Sequence, residues 1–288
     1  MSGKEAILGR WQTMTGKGSL ACVGLGMTLG AHITPRARDH IEKADVVFVA
    51  VSNPLVELWV QQLNTDVRSL QPFYGESDGE KSRQETYRQM VDAMLQEVRS
   101  GRRVCGAFYG HPGVFALVPH RAVETAREEG FAAIMEPGVS AEDCLYADLG
   151  IDPGRVGCQH FEASQLMFYQ RQIDNSAYLV LWQAGIAGDT SFARFSTGPA
   201  YTRLLVDLLS EDYPLDHPCT IYEATTLPIH PPRIETVALR DLPGAGLTLQ
   251  STVVLPPSRP LRQNHAMLAR LSDLAGREGS DTRPSGHK

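Results

Sequence analysis

The chain has 288 residues, 42% of them apolar, and a formal net charge of −6. That length predicts two domains with enough apolar side chains for sizeable cores, and an acidic balance without a basic stripe argues against nucleic acid as a partner. Cys22, Cys105, Cys144, Cys158 and Cys219 are scattered and form no C-x-x-C pair, which reads as free thiols in a reducing cytoplasm. No apolar run is long enough to span a bilayer, so no membrane partner is expected, and the first twenty residues carry no secretory apolar region.

Residues 1–18 read as an N-terminal arm whose apolar handles are Ile7, Leu8 and Trp11. Leu20–Leu25 is the first expected strand, and Gly24-Leu25-Gly26-Met27-Thr28-Leu29-Gly30 follows it. The G-x-G-x-x-x-G spacing is not the dinucleotide fingerprint, and Asp45 precedes the second strand instead of ending it, which disfavours NAD. Thr34 is an N-cap with Pro35 at the first helical position, and that helix leads to a strand over Val46–Val51. Pro54 opens another helix, Val67–Leu70 is a short strand, and Pro72 to Gly79 is a turn-rich loop. A long helix from about Glu80 to Arg99 stops at Gly101. Arg103–Phe108 is a buried strand running into Tyr109-Gly110-His111-Pro112-Gly113, a turn at the carboxyl end of a sheet, where ligands of open α/β folds bind.

A helix is expected over Val118–Glu129 and a strand over Phe131–Met135. Pro137-Gly138-Val139-Ser140-Ala141 then turns sharply into a helix, with Ser140 also suited to be a plain N-cap. Strands alternating with helices over 20–150 predict a parallel sheet covered on both faces. The second half changes character: Gly157–Leu166, Tyr178–Trp182, Thr220–Ala224, Ile234–Val237 and Thr248–Leu255 are β-like, and Ala200–Leu209 is an amphipathic helix. A smaller, largely antiparallel α+β unit is expected there. Residues 261–276 read as a C-terminal helix, and the polar tail from Gly279 reads as disordered. The expected organisation is therefore 1–18 arm, 19–155 α/β domain, 156–258 α+β domain and 259–288 helix and tail. His217 and His230 read as surface loop residues, and His111 has no second ligand at metal spacing, so no metal site is expected.

Val23-Gly24-Leu25-Gly26 with Ile33-Thr34, then Tyr109-Gly110-His111-Pro112-Gly113, then Pro137-Gly138-Val139-Ser140-Ala141, resemble the three loops of the tetrapyrrole (corrin/porphyrin) methylase superfold. The resemblance implies two α/β domains with S-adenosylmethionine in the cleft between them, and a homodimer. Met27-Thr28 stands where Pro-Gly is usual, and His111 where an Asp is usual. Those departures resemble a narrower group, the borosin peptide-backbone α-N-methyltransferases. Phe73-Tyr74, Arg83 with Tyr87, Tyr109 to Phe115, Glu136 to Ala141, Phe161 to Gln165 and Leu181-Trp182-Gln183 match that group in order. In its fused branch the substrate peptide extends the enzyme's C-terminus. The polar tail here, with no run of apolar core residues, resembles the split branch, which acts on a separate precursor peptide in a 2:2 complex.

The resemblance places Tyr109, His111, Val114, Phe115, Ser140, Ala141, Gln183, Tyr222, Ser251 and Thr252 around the cofactor. It makes Arg83, Tyr87 and Tyr74 the catalytic candidates. The chemistry suits them. An amide nitrogen shares its lone pair with the carbonyl and gives up its proton reluctantly; tyrosinate, with a reference pKa of about 10, is among the stronger bases a protein carries. A cation one helical turn away would hold the charge that moves to the carbonyl oxygen. From periodicity alone Tyr87 could equally be a core-edge aromatic in line with Val91, Met94 and Val98, and Arg83 a solvated side chain. A tetrapyrrole C-methyltransferase and a non-catalytic cofactor- or peptide-binding module are the rival readings.

Overall fold

The computed structural model describes residues 18–51, 53–74, 83–191 and 194–281. The expected arm over 1–17, most of the turn-rich loop after Tyr74 and the end of the tail lie outside them. The first half runs β1 (Ser19–Gly24), α1 (Pro35–Lys43), β2 (Val46–Ala50), α2 (Pro54–Val60), β3 (Val67–Ser69), a 3-10 turn (Gln71–Tyr74), α3 (Arg83–Arg99), β4 (Arg103–Phe108), α4 (Leu117–Glu128), β5 (Ala132–Glu136) and α5 (Ala141–Leu149). Its five strands are all parallel, in the order β3-β2-β4-β1-β5. The apolar character of both strand faces follows from cover on both sides. Leu20, Cys22, Phe48 and Val104 face Met90, Met94, Leu95 and Val98 of α3 and Ala122 and Val123 of α4. Val23, Val47, Val49 and Ala107 face Ala37 and Ile41 of α1 and Val56 and Val60 of α2. Each such buried Val or Leu contributes ~1.5–3 kcal/mol relative to exposure.

The second half runs α6 (Pro153–Val156), β6 (Cys158–Glu162), α7 (Ala163–Phe168), β7 (Tyr178–Trp182), a 3-10 turn (Ala184–Ile186), α8 (Pro199–Leu209), β8 (Pro218–Glu223), β9 (Arg233–Ala238), a 3-10 turn (Leu239–Gly244), β10 (Thr252–Leu255) and α9 (His265–Asp281). Its sheet has the order β6-β7-β10-β8-β9, parallel between β6 and β7 and antiparallel elsewhere. Leu166 of α7 and Leu205, Val206 and Leu209 of α8 cover one face. The other face, with Val180, Trp182, Tyr222 and Val254, packs on Leu145 of α5. A helix launched from the first sheet thus roofs the second, which turns the carboxyl ends of β1, β4 and β5 toward β7. Backbone bonds add to the join: Leu29 N–H donates to Thr226 O at 3.0 Å, and Thr28 Oγ1 to Thr225 O at 3.3 Å.

Two expectations are corrected. Gly157–Leu166 is not one β segment: the Glu162 carboxylate accepts from Gln165 N–H at 2.8 Å and caps a helix there. The C-terminal helix starts after Asn264, not at 261, because the Asn264 side chain accepts from Met267 N–H, and it runs past Gly279 to Asp281. His217 does lie in a loop, half-buried. Its Nε2 meets Pro256 O at 2.9 Å and its ring lies 5.1 Å from that of Tyr213.

Candidate active site

The loops leaving β1, β4 and β5 meet on glycine. A Cβ on Gly24 would come within 2.4 Å of Gly110 O and 2.8 Å of Gly138 Cα, and one on Gly138 within 2.5 Å of Gly110 O. Gly26 and Gly110 exchange backbone hydrogen bonds, Gly110 N–H to Gly26 O at 2.9 Å and the reverse at 3.2 Å. Both have φ in the left-handed region, +73° and +64°, which glycine adopts at no steric cost. These residues close the loops on one another and lift the next ones, Tyr109 and His111 to Phe115, onto the rim. His111 Nδ1 accepts from Gly113 N–H at 2.8 Å, so the neutral ring carries its proton on Nε2.

Among the described residues, the non-glycine positions with positive φ are Phe115 (+49°) and Gln183 (+56°). Both belong to the expected cofactor set, and strain of this kind persists where surrounding structure over-determines it. The two loops touch: the Phe115 ring lies 5.5 Å from that of Trp182, the residue before Gln183. Beneath Trp182 runs a directed chain of hydrogen bonds. Trp182 Nε1–H, a donor only, gives to His160 Nδ1 at 3.1 Å. His160 Nε2–H therefore faces Tyr146 Oη at 2.9 Å, and Tyr146 donates to Glu142 at 2.9 Å. Desolvation lowers the His160 pKa against the raising influence of Glu142. The ring is held neutral, stacked 6.0 Å from Trp182.

On the other side of Tyr109 the catalytic candidates come together. Arg83 is the first described residue of α3 and Tyr87 lies one turn further on. Tyr74 meets Tyr87 edge-on at 6.5 Å and Phe195 at 6.4 Å. Burial, with Tyr87 and Tyr109 nearby, pushes the Tyr74 hydroxyl well above the usual phenol range. Tyr109 is raised by desolvation and then by Tyr87, yet 58% of the residue is exposed. A side chain deep in the protein's mass but open to solvent lies on the wall of a cleft. A small apolar pocket on its far side is lined by Leu25, Leu29, Val56 and Trp59.

The remaining candidates sit differently. Ser140 is 6% exposed and forms a full capping box, with Asp143 N–H donating to its Oγ at 3.2 Å and its own N–H to the Asp143 carboxylate at 2.7 Å. Ala141 and Val114 are half-buried beside it and beside His111. Tyr222 is fully buried, and its hydroxyl donates to Asp148 at 2.7 Å. Ser251 is also fully buried; its Oγ donates to Glu223, and its carbonyl accepts from Ala184 N–H at 3.0 Å, pinning the turn that carries Gln183. Thr252 is 3% exposed in β10 opposite Tyr222. The side chains of Tyr222, Ser251 and Thr252 are thus buried, the first two in hydrogen bonds to Asp148 and Glu223. Sequence reasoning missed Asp189, His160 and Phe195. Gly188-Asp189 followed by Ser191 carries a turn signal, but nothing local names the Arg83 partner.

A parallel sheet and a mostly antiparallel one joined through α5, with glycine-closed loops over the carboxyl ends of β1, β4 and β5, define a recognisable class. The chain belongs to the tetrapyrrole (corrin/porphyrin) methylase family, whose model matches residues 19–242. It is similar to the methyltransferase/ribosomally synthesised type I borosin cyclic peptide precursor of Coprinopsis marcescibilis, 41% identical over 84% of this chain and 63% of that protein. The methyltransferase/omphalotin A precursor of Omphalotus olearius is 38% identical over 91% of this chain and 63% of its own length. The chain thus spans less than two thirds of these relatives, each of which joins a methyltransferase and a peptide precursor in one polypeptide. In fold it resembles a cobalt precorrin-4 methyltransferase of cobalamin biosynthesis (TM-score 0.59, 17% identity, covering 83% of this chain and 94% of that one). A uroporphyrin-III C-methyltransferase from Thermus thermophilus is equally similar (TM-score 0.59, 19% identity, 86% and 99%). No helix among the described residues is long and apolar enough to cross a membrane.

Proposed function

We propose that this chain methylates backbone amide nitrogens of a ribosomally made precursor peptide, in successive turnovers, with S-adenosylmethionine as donor. The peptide is a separate chain, and the enzyme works in the cytoplasm as a homodimer engaging two precursors. The observation that carries the reading is the meeting of Arg83, Tyr87 and Tyr74 beside Tyr109, on a cleft whose far rim is Phe115 and Gln183. The borosin precursors among the relatives support the substrate class. Exposed Met267, Leu268, Leu271 and Leu274 on α9 offer apolar surface for a second copy to cover.

The rim suits the cofactor. Partly open rings of Tyr109 and Phe115 can flank an adenine or a sulfonium, and the strained turn at Gln183 follows Trp182, whose ring meets that of Phe115. When bound, S-adenosylmethionine supplies an electrophilic methyl group. Tyr87, acting as the phenolate, would take the amide N–H proton as the nitrogen takes the methyl group and the donor leaves as its neutral thioether. Arg83, which can only donate, holds the charge that gathers on the carbonyl oxygen. Tyr74 keeps its own proton, because burial disfavours the phenolate, and its hydroxyl orients the peptide unit.

Incubated with the peptide encoded beside it and S-adenosylmethionine, the enzyme should add mass to that peptide in steps of one methyl. Arg83→Ala and Tyr87→Phe should abolish the gain while calorimetric titration shows cofactor binding intact. Two fully active variants would refute the catalytic assignment. Mass gained only by a peptide joined to the enzyme would replace the separate substrate with the relatives' arrangement.

A further inference from the structure

The loop after β7 places a buried acid against Arg83. Asp189 is 3% exposed, and its two carboxylate oxygens have divided tasks. Oδ1 accepts from Ser191 N–H at 3.0 Å and Ser191 Oγ–H at 2.5 Å, closing the loop's own turn. Oδ2 accepts from Arg194 N–H at 3.0 Å and from Arg83 Nη2 at 2.7 Å, across 106 residues of sequence. The pair is well shielded, with side-chain exposures of 16% for Arg83 and 2% for Asp189. Burial pushes the Asp189 pKa up, but the hydrogen bonds from Ser191, Arg194 and Arg83 outweigh it, and the carboxyl lies below its ordinary value.

Arg83 is the first described residue of α3, and its long flexible side chain has many rotamers. A fixed anion in a dry setting selects among them. The same loop, continuing to Phe195, presents a ring to Tyr74 at 6.4 Å, and Tyr74 meets Tyr87 at 6.5 Å. Both ends of the catalytic cluster therefore lean on one segment of the second half.

We infer that Asp189 is a positioning residue: its carboxylate holds the Arg83 guanidinium in the orientation in which it can reach the carbonyl oxygen of the substrate amide. This rests on the catalytic reading of Arg83 above. Asp189→Asn is the discriminating change, since the amide keeps an oxygen for the Ser191 turn but turns an N–H₂ toward the N–H groups of Arg83 and Arg194. With the peptide that gains mass in the assay above as probe, kcat should fall ~100-fold, the scale of an ångström's misplacement. Peptide KM and S-adenosylmethionine affinity should hold. Ser191→Ala loosens the same turn and keeps the carboxylate, so it should retain kcat.

Arginine-selective nitrogen NMR of the cofactor-loaded full chain reads the contact directly. The Arg83 guanidinium signal, assigned by its loss in Arg83→Lys, should be sharp and slowly exchanging in wild type and Ser191→Ala and motionally averaged in Asp189→Asn. An Asp189→Asn enzyme with wild-type kcat and an unchanged Arg83 signal, beside a dead Arg83→Ala, overturns this inference alone. Equal losses in Asp189→Asn and Ser191→Ala also overturn it, because the turn and not the guanidinium would then be what matters. A fully active Arg83→Ala instead sinks the catalytic reading, and the NMR comparison still reports whether Asp189 fixes the guanidinium.

Discussion

Gly138→Ala tests whether the glycine contact between loops holds the cofactor rim in place. The added Cβ would lie 2.5 Å from Gly110 O and 2.8 Å from Gly24 Cα, both of them backbone. Those contacts fall nearly an ångström short of ordinary van der Waals distance, and no flexible side chain can move aside. Overpacking of that kind costs ~1–3 kcal/mol, which for a protein of this size lowers the melting temperature by roughly 2–12 °C. Displacing the β4 loop by a similar distance moves Tyr109, His111 and Phe115 together, so S-adenosylmethionine affinity should fall as well. Gly101→Ala is the matched control: its φ of +92° also strains an alanine, but nothing lies within 4 Å of the new Cβ. It should cost stability without touching affinity. Calorimetric titration with S-adenosylmethionine and a thermal scan of both variants read the two effects. Wild-type affinity and melting in Gly138→Ala would refute the reasoning.

Tyr213→Phe should leave stability unchanged or raise it by up to ~1 kcal/mol in denaturant unfolding, because the buried Tyr213 hydroxyl has no hydrogen-bond partner among the described residues; a loss of more than that would show a partner exists. His160 has its pKa lowered on folding, through desolvation with Glu142 opposing. Its contribution is therefore complete above about pH 6.5 and lost as pH falls through the lower folded value. Stability measured from neutral pH into that range should drop less in His160→Gln, and an unchanged slope would place the titration elsewhere. Tyr222→Phe removes the bond to Asp148 and should cost ~1–3 kcal/mol with S-adenosylmethionine affinity retained; loss of affinity without loss of stability would give the hydroxyl a ligand role.

The parallel sheet was legible because strands buried on both faces leave uninterrupted apolar runs such as Val46–Ala50, and because Thr34-Pro35 and Ser140 with Asp143 mark helix starts chemically. Arg83 and Tyr87 could be placed on one face from spacing alone, since four residues make a helical turn. Glu162 misled, because a carboxylate ending a strand looks like any alternating polar position until its capping bond is seen. Asp189 and His160 were invisible for a different reason. Arg83, the partner of Asp189, comes from the other half of the chain, and Trp182, the partner of His160, lies on the neighbouring strand of the second sheet, so neither meeting is encoded in a local pattern.

The central claim is that the methyl group lands on backbone nitrogen. Tandem mass spectrometry and carbon NMR of a precursor treated with enzyme and S-adenosylmethionine labelled in its methyl carbon locate it directly. Label should appear on main-chain amide nitrogens, at more than one position in a single peptide; label on carbon or on side chains alone would contradict backbone N-methylation.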